Sequence, residues 1–431
     1  MHIDLPFQRF TLANGLQVIV HEDHSVPIVA VNLWYRVGSK DERKGRTGLA
    51  HLFEHLMFEG SANVPAGQFD ELLESAGGVN NGSTATDRTN YWETVPAEAL
   101  ELALFLEADR MGGLLAALTE EKLTAQRDVV KNERRQTYEN RPYGLAWETI
   151  HAALYPADHP YHWPIIGSML DLDAATLSDV KAFFQSYYAP TNASLCVAGD
   201  AEAGHVLELA QRYFAPIPPA PPPPVVRVSP PQLTEHQMLV LEDDVHLPRL
   251  YFTWHSPAIY APHDAELDVL GLLLAQGKSA RLYKSLVYEK KIAQDVEAFQ
   301  SSALLGSTFH IVVTARPETN LTKLADLVRA ELEGAVVTLK PEEVQRAVRR
   351  FETSFIDSLQ TVGGFAGRAD RLNHYAFYLD DPAAANRDLE RYLHTDEAAV
   401  AQAARVHLLD APAVVLSVLP RGQAKRALQS W

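Results

Sequence analysis

The chain has 431 residues, 38 Lys and Arg against 55 Asp and Glu, a formal net charge of −17 and one cysteine, Cys196. That acidic balance excludes a nucleic-acid binder, which needs a basic footprint, and one cysteine excludes a disulfide framework and a Cys-rich zinc site. Such a length calls for at least two domains, while the lack of a run of about 18 apolar residues or a signal segment points to a soluble, cytoplasmic protein, or a periplasmic one whose leader was removed.

Residues 7–12 and 16–21 flank Ala13-Asn14-Gly15, a hairpin signal, and the β-branched and aromatic stretch 28–37 extends the sheet. Residues 48–60 read GLAHLFEHLMFEG. Here Leu49, Leu52, Phe53, Leu56 and Met57 recur at the spacing of one helical face, and Gly60 is placed to stop the helix. His51, Glu54 and His55 lie on the other side, and no Lys or Arg occurs from Thr47 to Phe58, which suits a lined cavity better than a solvated surface.

Positions four apart on a helix are neighbours, so both imidazoles can reach one ion while Glu54 points near it without binding. HxxEH inverts the HExxH order of zinc peptidases and serves the same chemistry: two neutral imidazoles hold Zn2+, and the carboxylate takes a proton from the water the metal acidifies.

Beyond this motif, residues 66–75 look helical and end at Gly77-Gly78, and 79–86 and 89–95 read as paired strands. Helical patterns follow at 96–110, 120–138, 144–154 and 177–187, then a strand at 193–198 in which Cys196 is a small core residue, then a helix at 203–213. Residues 216–224 are mostly proline, a stiff extended spacer.

The second half repeats the first. Pro27 and Pro248 each open a strand, 248 − 27 = 221, and Pro190 and Pro412 each precede a closing strand, 412 − 190 = 222. Domains are therefore expected at 1–215 and 231–431, joined by a linker at 216–230. At an offset of 221, His51, Glu54 and His55 fall on Leu272, Ala275 and Gln276, so the second domain carries no metal site.

Two histidines leave a zinc short of protein ligands. In the helix at 120–138, Gln126, Val130 and Glu133 share a face, which places Glu133 beside buried residues; a Glu merely solvated on a long helix is the ordinary alternative.

HLFEH at 51–55 followed by VVKNE at 129–133 resembles the pitrilysin/insulinase family of zinc peptidases, in its shorter bacterial and mitochondrial-processing-peptidase-like branch. NGLQVIV, GGVNNGSTATDRTNYWE and YYAPTNASLCVAGD extend the resemblance over most of the chain. It implies an α+β fold of two duplicated domains, each a mainly antiparallel sheet covered by helices, together half of a clamshell. It further implies that His51, His55 and Glu133 bind Zn2+, that Glu54 is the general base, and that Asn80, Asn81, Gly82 and Ser83 form an edge strand receiving an extended peptide.

The chain departs from the family pattern twice. Gln126 stands where many relatives have a second Glu, seven places before the ligand. Val287 and Gln294 stand where active single-chain relatives carry an Arg and a Tyr that contact the substrate carbonyl. The reading is a zinc metalloendopeptidase subunit for short unfolded peptides, in a heterodimer whose homologous partner supplies the Arg and Tyr. The alternatives are a non-catalytic scaffold subunit of the same fold and a closed structural zinc site.

Overall fold

The computed structural model describes residues 3–431, which form two compact units. The first comprises the chain up to Glu133, Trp163–Val226 and Phe355–Asp388; the second comprises Arg134–His162, Arg227–Ser354 and Leu389–Trp431. One change of unit, at Val226, falls inside the proline-rich stretch. Two others fall near the ends of long helices, after Glu133 and after Ser354, at equivalent points of the duplication, since 354 − 133 = 221.

In the first unit, β1 (Gln8–Thr11), β2 (Gln17–Glu22), β3 (Ile28–Tyr35), β4 (Val79–Thr84), β5 (Thr89–Pro96) and β6 (Ala193–Gly199) form one sheet in the order β1-β2-β6-β3-β5-β4. The β1–β2 pair is antiparallel, with Thr11 opposite Gln17 around the predicted Ala13-Asn14-Gly15 turn, where Gly15 has φ +90°. In the second unit, β7 (Gln237–Asp243), β8 (Arg249–Ser256), β9 (Ala293–Ser301), β10 (Ser307–Ala315) and β11 (Val414–Pro420) run in the order β7-β11-β8-β10-β9.

Without β1 the two sheets have one topology. In both, the closing strand pairs parallel to the first strand and antiparallel to the second. The register repeats too: Gln17 faces Ser194 and Gln237 faces Val414, each displaced by 237 − 17 = 414 − 194 = 220. An internal duplication and a two-domain α+β fold, as the sequence predicts, are thus built into the hydrogen-bond ladders.

A similar helical cover comes to each sheet from the other half of the chain. Val362, Ala369, Leu372 and Ala376, on and before the helix Arg368–Leu379, pack with Ile19, Ala30, Cys196 and Ala198. Burial there pushes the Cys196 thiol far up, as befits a small apolar core residue. In the second unit, Ile150, Leu154, Tyr155 and Tyr161 pack with Tyr251, Val312, Val414, Leu416 and Val418.

Helices α1 (Leu49–Leu56), α2 (Gln68–Ser75), α3 (Leu100–Ala117) and α4 (Glu120–Arg134) complete the first unit's frame around the motif. The helix α1 ends before Gly60, which at φ +90° closes the turn that follows it instead. Conversely, α3 runs past its expected end at 110 and through Gly112-Gly113. These glycines do not break it; they admit a close neighbour, because a Cβ at Gly113 would meet the Cβ of Ala62 at 2.7 Å. After Arg134 the helix widens into a π turn, Arg135–Glu139, closed by the Asn140 N–H on the Arg135 carbonyl.

Arg110 of α3 is buried and ion-paired with Glu93 of β5 and Glu107 of its own helix. Its guanidinium also lies over the rings of Phe58, Phe69 and Tyr91, at 5.2, 4.5 and 4.2 Å from their centroids. Among the described residues, no helix is long and apolar enough to cross a membrane.

Several imidazoles are buried in the neutral form. Burial lowers His151 to about 4 and His310 to about 3, against an ordinary 6.5. The unfolded chain therefore takes up these protons first, and the histidines favour the folded state fully above about pH 6.5 and progressively less as the pH falls towards 4. Urea unfolding should have a lower midpoint at pH 5 than at pH 7, each group contributing up to about 1.4 kcal/mol per pH unit; coincident midpoints would refute this.

Candidate active site

The helix α1 has only eight residues, so its placement rests on what surrounds it. Leu52, Phe53 and Leu56 are fully buried, and Phe53 stacks on Phe184 and Tyr188. At its N-terminus Gly48 adopts φ +86°, with backbone of Ile166 and Gly167 where a side chain would be. The buried Glu42 caps the first turn from outside the helix: its carboxylate accepts the N–H groups of Gly48 at 2.9 Å and Ala50 at 2.8 Å. Burial pushes this carboxyl well above the usual range, with the two N–H groups pulling the other way.

One turn apart on the helix, His51 and His55 have ring centroids 4.9 Å from each other. Their Nε2 atoms lie 3.7 and 3.4 Å from one oxygen, Oε2 of Glu133 in the last turn of α4. Burial holds His51 below its ordinary pKa, against the charges of Glu54 and Glu133. Burial is the largest single influence on His55 and acts in the same direction, but the hydrogen bond to Glu133, the charges of Glu133 and Glu54 and the contact with Gln126 together outweigh it, so His55 is raised, and its hydrogen bond lowers Glu133.

Glu54 is not part of this trio, but its charge acts on both imidazoles. Its Oε2 accepts the Thr84 hydroxyl of β4 at 2.5 Å. The strand β4 is the edge of its sheet and pairs only with β5, Gly82 opposite Tyr91. Of the four residues expected to receive substrate, Asn80 is tied to Asp70 through its side chain, Asn81 caps the Gly82 N–H, and Ser83 donates to Asn90. Gln126 hydrogen-bonds His55 and donates to Glu59 at 2.6 Å. A carboxylate thus stands behind His55 after all, reached through an amide and supplied by the segment just after α1.

Residues 17–165 match the family described as insulinase (peptidase family M16), and residues 174–351 match the peptidase M16 inactive domain. The chain belongs to the M16, pitrilysin/insulinase, family. Within it, the chain is 33% identical over 370 residues to the zinc protease PqqE of Helicobacter pylori, covering 84% of this chain and 82% of that protein. A crystal structure of a protease from Helicobacter pylori superposes with a TM-score of 0.87 at 28% identity, covering 96% of this chain and 100% of that one. The periplasmic protease PqqL from Escherichia coli shares the fold, with a TM-score of 0.78 at 19% identity, over 99% of this chain and 49% of its own.

Relatives in the M16 family carry zinc in their names, and the donor set here fits that ion. Two imidazole nitrogens and a carboxylate oxygen lie within 4.8 Å of one another. Ligands about 2.0–2.1 Å from a tetrahedral zinc are about 3.3 Å apart, close to the observed nitrogen–oxygen separations.

In the second unit, Leu272 and Ala275 lie on the equivalent helix, Asp264–Ala275, and Gln276 ends it. The described residues of that unit hold no cluster of three potential metal ligands. Val287 packs against the core, Gln294 is exposed, and Arg281 is engaged by Glu343 and the Thr338 carbonyl.

Glu42, Thr84 and Glu59 were not singled out by the sequence pattern. Only Glu59, a carboxylate just past the helix, carried a local signal. Replacing Glu42 by Ala leaves two buried N–H groups unpaired and should cost about 2–4 kcal/mol, read as a fall in the thermal unfolding midpoint. Glu42→Gln, which keeps an acceptor oxygen, should cost less.

Proposed function

We propose that this chain is the zinc-binding subunit of a metalloendopeptidase that hydrolyses unfolded peptides. The observation that carries the reading is the convergence of His51 Nε2, His55 Nε2 and Glu133 Oε2, with Glu54 one helical position before His55 and hydrogen-bonded to Thr84. His51, His55 and Glu133 would hold the zinc, which when bound supplies a Lewis acid that polarises the scissile carbonyl and acidifies water.

The chain's own residues do the rest. An extended peptide adds along the free edge of β4 through backbone hydrogen bonds, with residues 80–83 facing it and imposing little side-chain choice. Glu54 accepts a proton from the attacking water on the oxygen not held by Thr84, and returns it to the leaving amine. The two transfers balance, so the carboxylate is regenerated. Burial holds His51, the more buried imidazole, towards the neutral form that binds a metal, while His55, raised beside Glu133, releases its proton when a metal binds.

Val287 and Gln294 offer no cation or phenol, and Arg281 is occupied by Glu343. We therefore assign carbonyl and oxyanion contacts to a homologous partner chain, making the active enzyme a heterodimer.

Three measurements test this. Zinc should bind stoichiometrically to the chain alone. Glu54→Gln should retain the metal while abolishing turnover, by about 10²-fold or more. The zinc-loaded chain alone should leave a quenched, unstructured peptide uncut; chelator-sensitive cleavage by it would remove the need for a partner, and zinc binding with no cleavage in any assembly would favour a scaffold subunit.

A further inference from the structure

The hydroxyl of Thr84 touches Glu54, yet neither the motif nor the duplication assigns it a role. It is the last residue of β4, opposite Thr89, and a tight turn follows in which the Ala85 N–H bonds the Arg88 carbonyl. Its position is therefore set by the sheet rather than by a loop. Two residues earlier, Gly82 faces the same side: a Cβ there would lie 3.3 Å from Glu54 Cγ and 3.1 Å from the Tyr91 ring. Tyr91 in turn is fully buried against Arg110. Glu54 thus fits a slot with a floor, a side left open by a missing side chain, and one hydrogen-bond donor at its end.

We propose that Thr84 is a positioning residue that fixes the Glu54 carboxylate in its working rotamer, so that the strand offered to the peptide also aims the base. The inference rests on the peptidase reading for its consequence, but its geometry stands apart from it. A free Glu side chain samples several rotamers, and a general base must hold one that keeps an oxygen available to the attacking water. Donation from Thr84 to Oε2 selects a single rotamer and leaves Oε1 free to exchange a proton. The contact also couples two functions. A peptide that adds to the outer edge of β4 stiffens the strand, and the hydroxyl stiffens with it, so substrate binding and alignment of the base proceed together.

The test compares Thr84→Val, which keeps the β-branched shape and removes the donor, with Thr84→Ser, which restores it. Crystal structures of both zinc-loaded variants show the Glu54 side chain. Kinetics are measured in the assembly in which the wild type cleaves a quenched peptide in a chelator-sensitive manner. Thr84→Val should lower kcat about tenfold or more, with KM within twofold and zinc content unchanged, and Thr84→Ser should recover most of the loss. In the structures, the carboxylate should leave its position in Thr84→Val and keep it in Thr84→Ser. A carboxylate that stays in place in Thr84→Val overturns the proposal whether or not the chain is a peptidase, as does a rise in KM without loss of kcat. A carboxylate that moves while no assembly cleaves peptide supports Thr84 as the holder of Glu54 and counts against the peptidase reading alone.

Discussion

Two turns of helix do not hold their shape in water, and everything at this site hangs on two turns. What fixes α1 is its fully buried apolar face together with one buried carboxylate, Glu42, that satisfies N–H groups at its start. Once the helix is fixed at that end, the polar side chains of its other face have few freedoms left. Glu133 meets both imidazoles from α4, and Thr84 meets Glu54 from β4. The site is therefore assembled by elements far apart in the chain, each held by the core on its own account.

A second buried charge group supports the same region from below. Arg110, Glu93 and Glu107 lie in the interior of the first unit, where a lone ion would be costly and a satisfied cluster is tolerable. The cluster ties α3 to β5 and presses the Tyr91 ring against the place where Gly82 leaves room for Glu54. Because the cluster binds helix to strand through charge and aromatic contact together, β5 has one register against α3, and β4 inherits its register from β5.

Local pattern was enough to read most of the elements and to single out His51, Glu54 and His55 of the candidate site, since HxxEH on an amphipathic helix states its own geometry. The repeated Pro positions revealed the duplication that the strand registers then showed in full. Glu133 needed family resemblance, because a Glu on a polar helix looks alike whether it meets solvent or two imidazoles. Thr84 and Glu42 were invisible for a different reason: their partners are 30 and 6 to 8 residues away, and no periodicity links a strand end or a loop carboxylate to a helix. The expected end of the helix at 110 fell short of the observed one, which runs on through Gly112-Gly113, where the missing side chain of Gly113 admits Ala62. Likewise, nothing in composition marks the points after Glu133 and Ser354 where the chain changes unit.

That exchange of segments bears on how the protein is made. A ribosome releases His51, Glu54, His55 and Glu133 well before the helix Arg368–Leu379, which covers Ile19, Ala30 and Ala198, emerges. Until then the first sheet waits with an apolar face uncovered, so neither half of the duplication can mature as an independent product. Two once-equal copies have become mutually dependent in packing, and a gene split at the proline-rich stretch would yield two chains, each needing the other to finish folding.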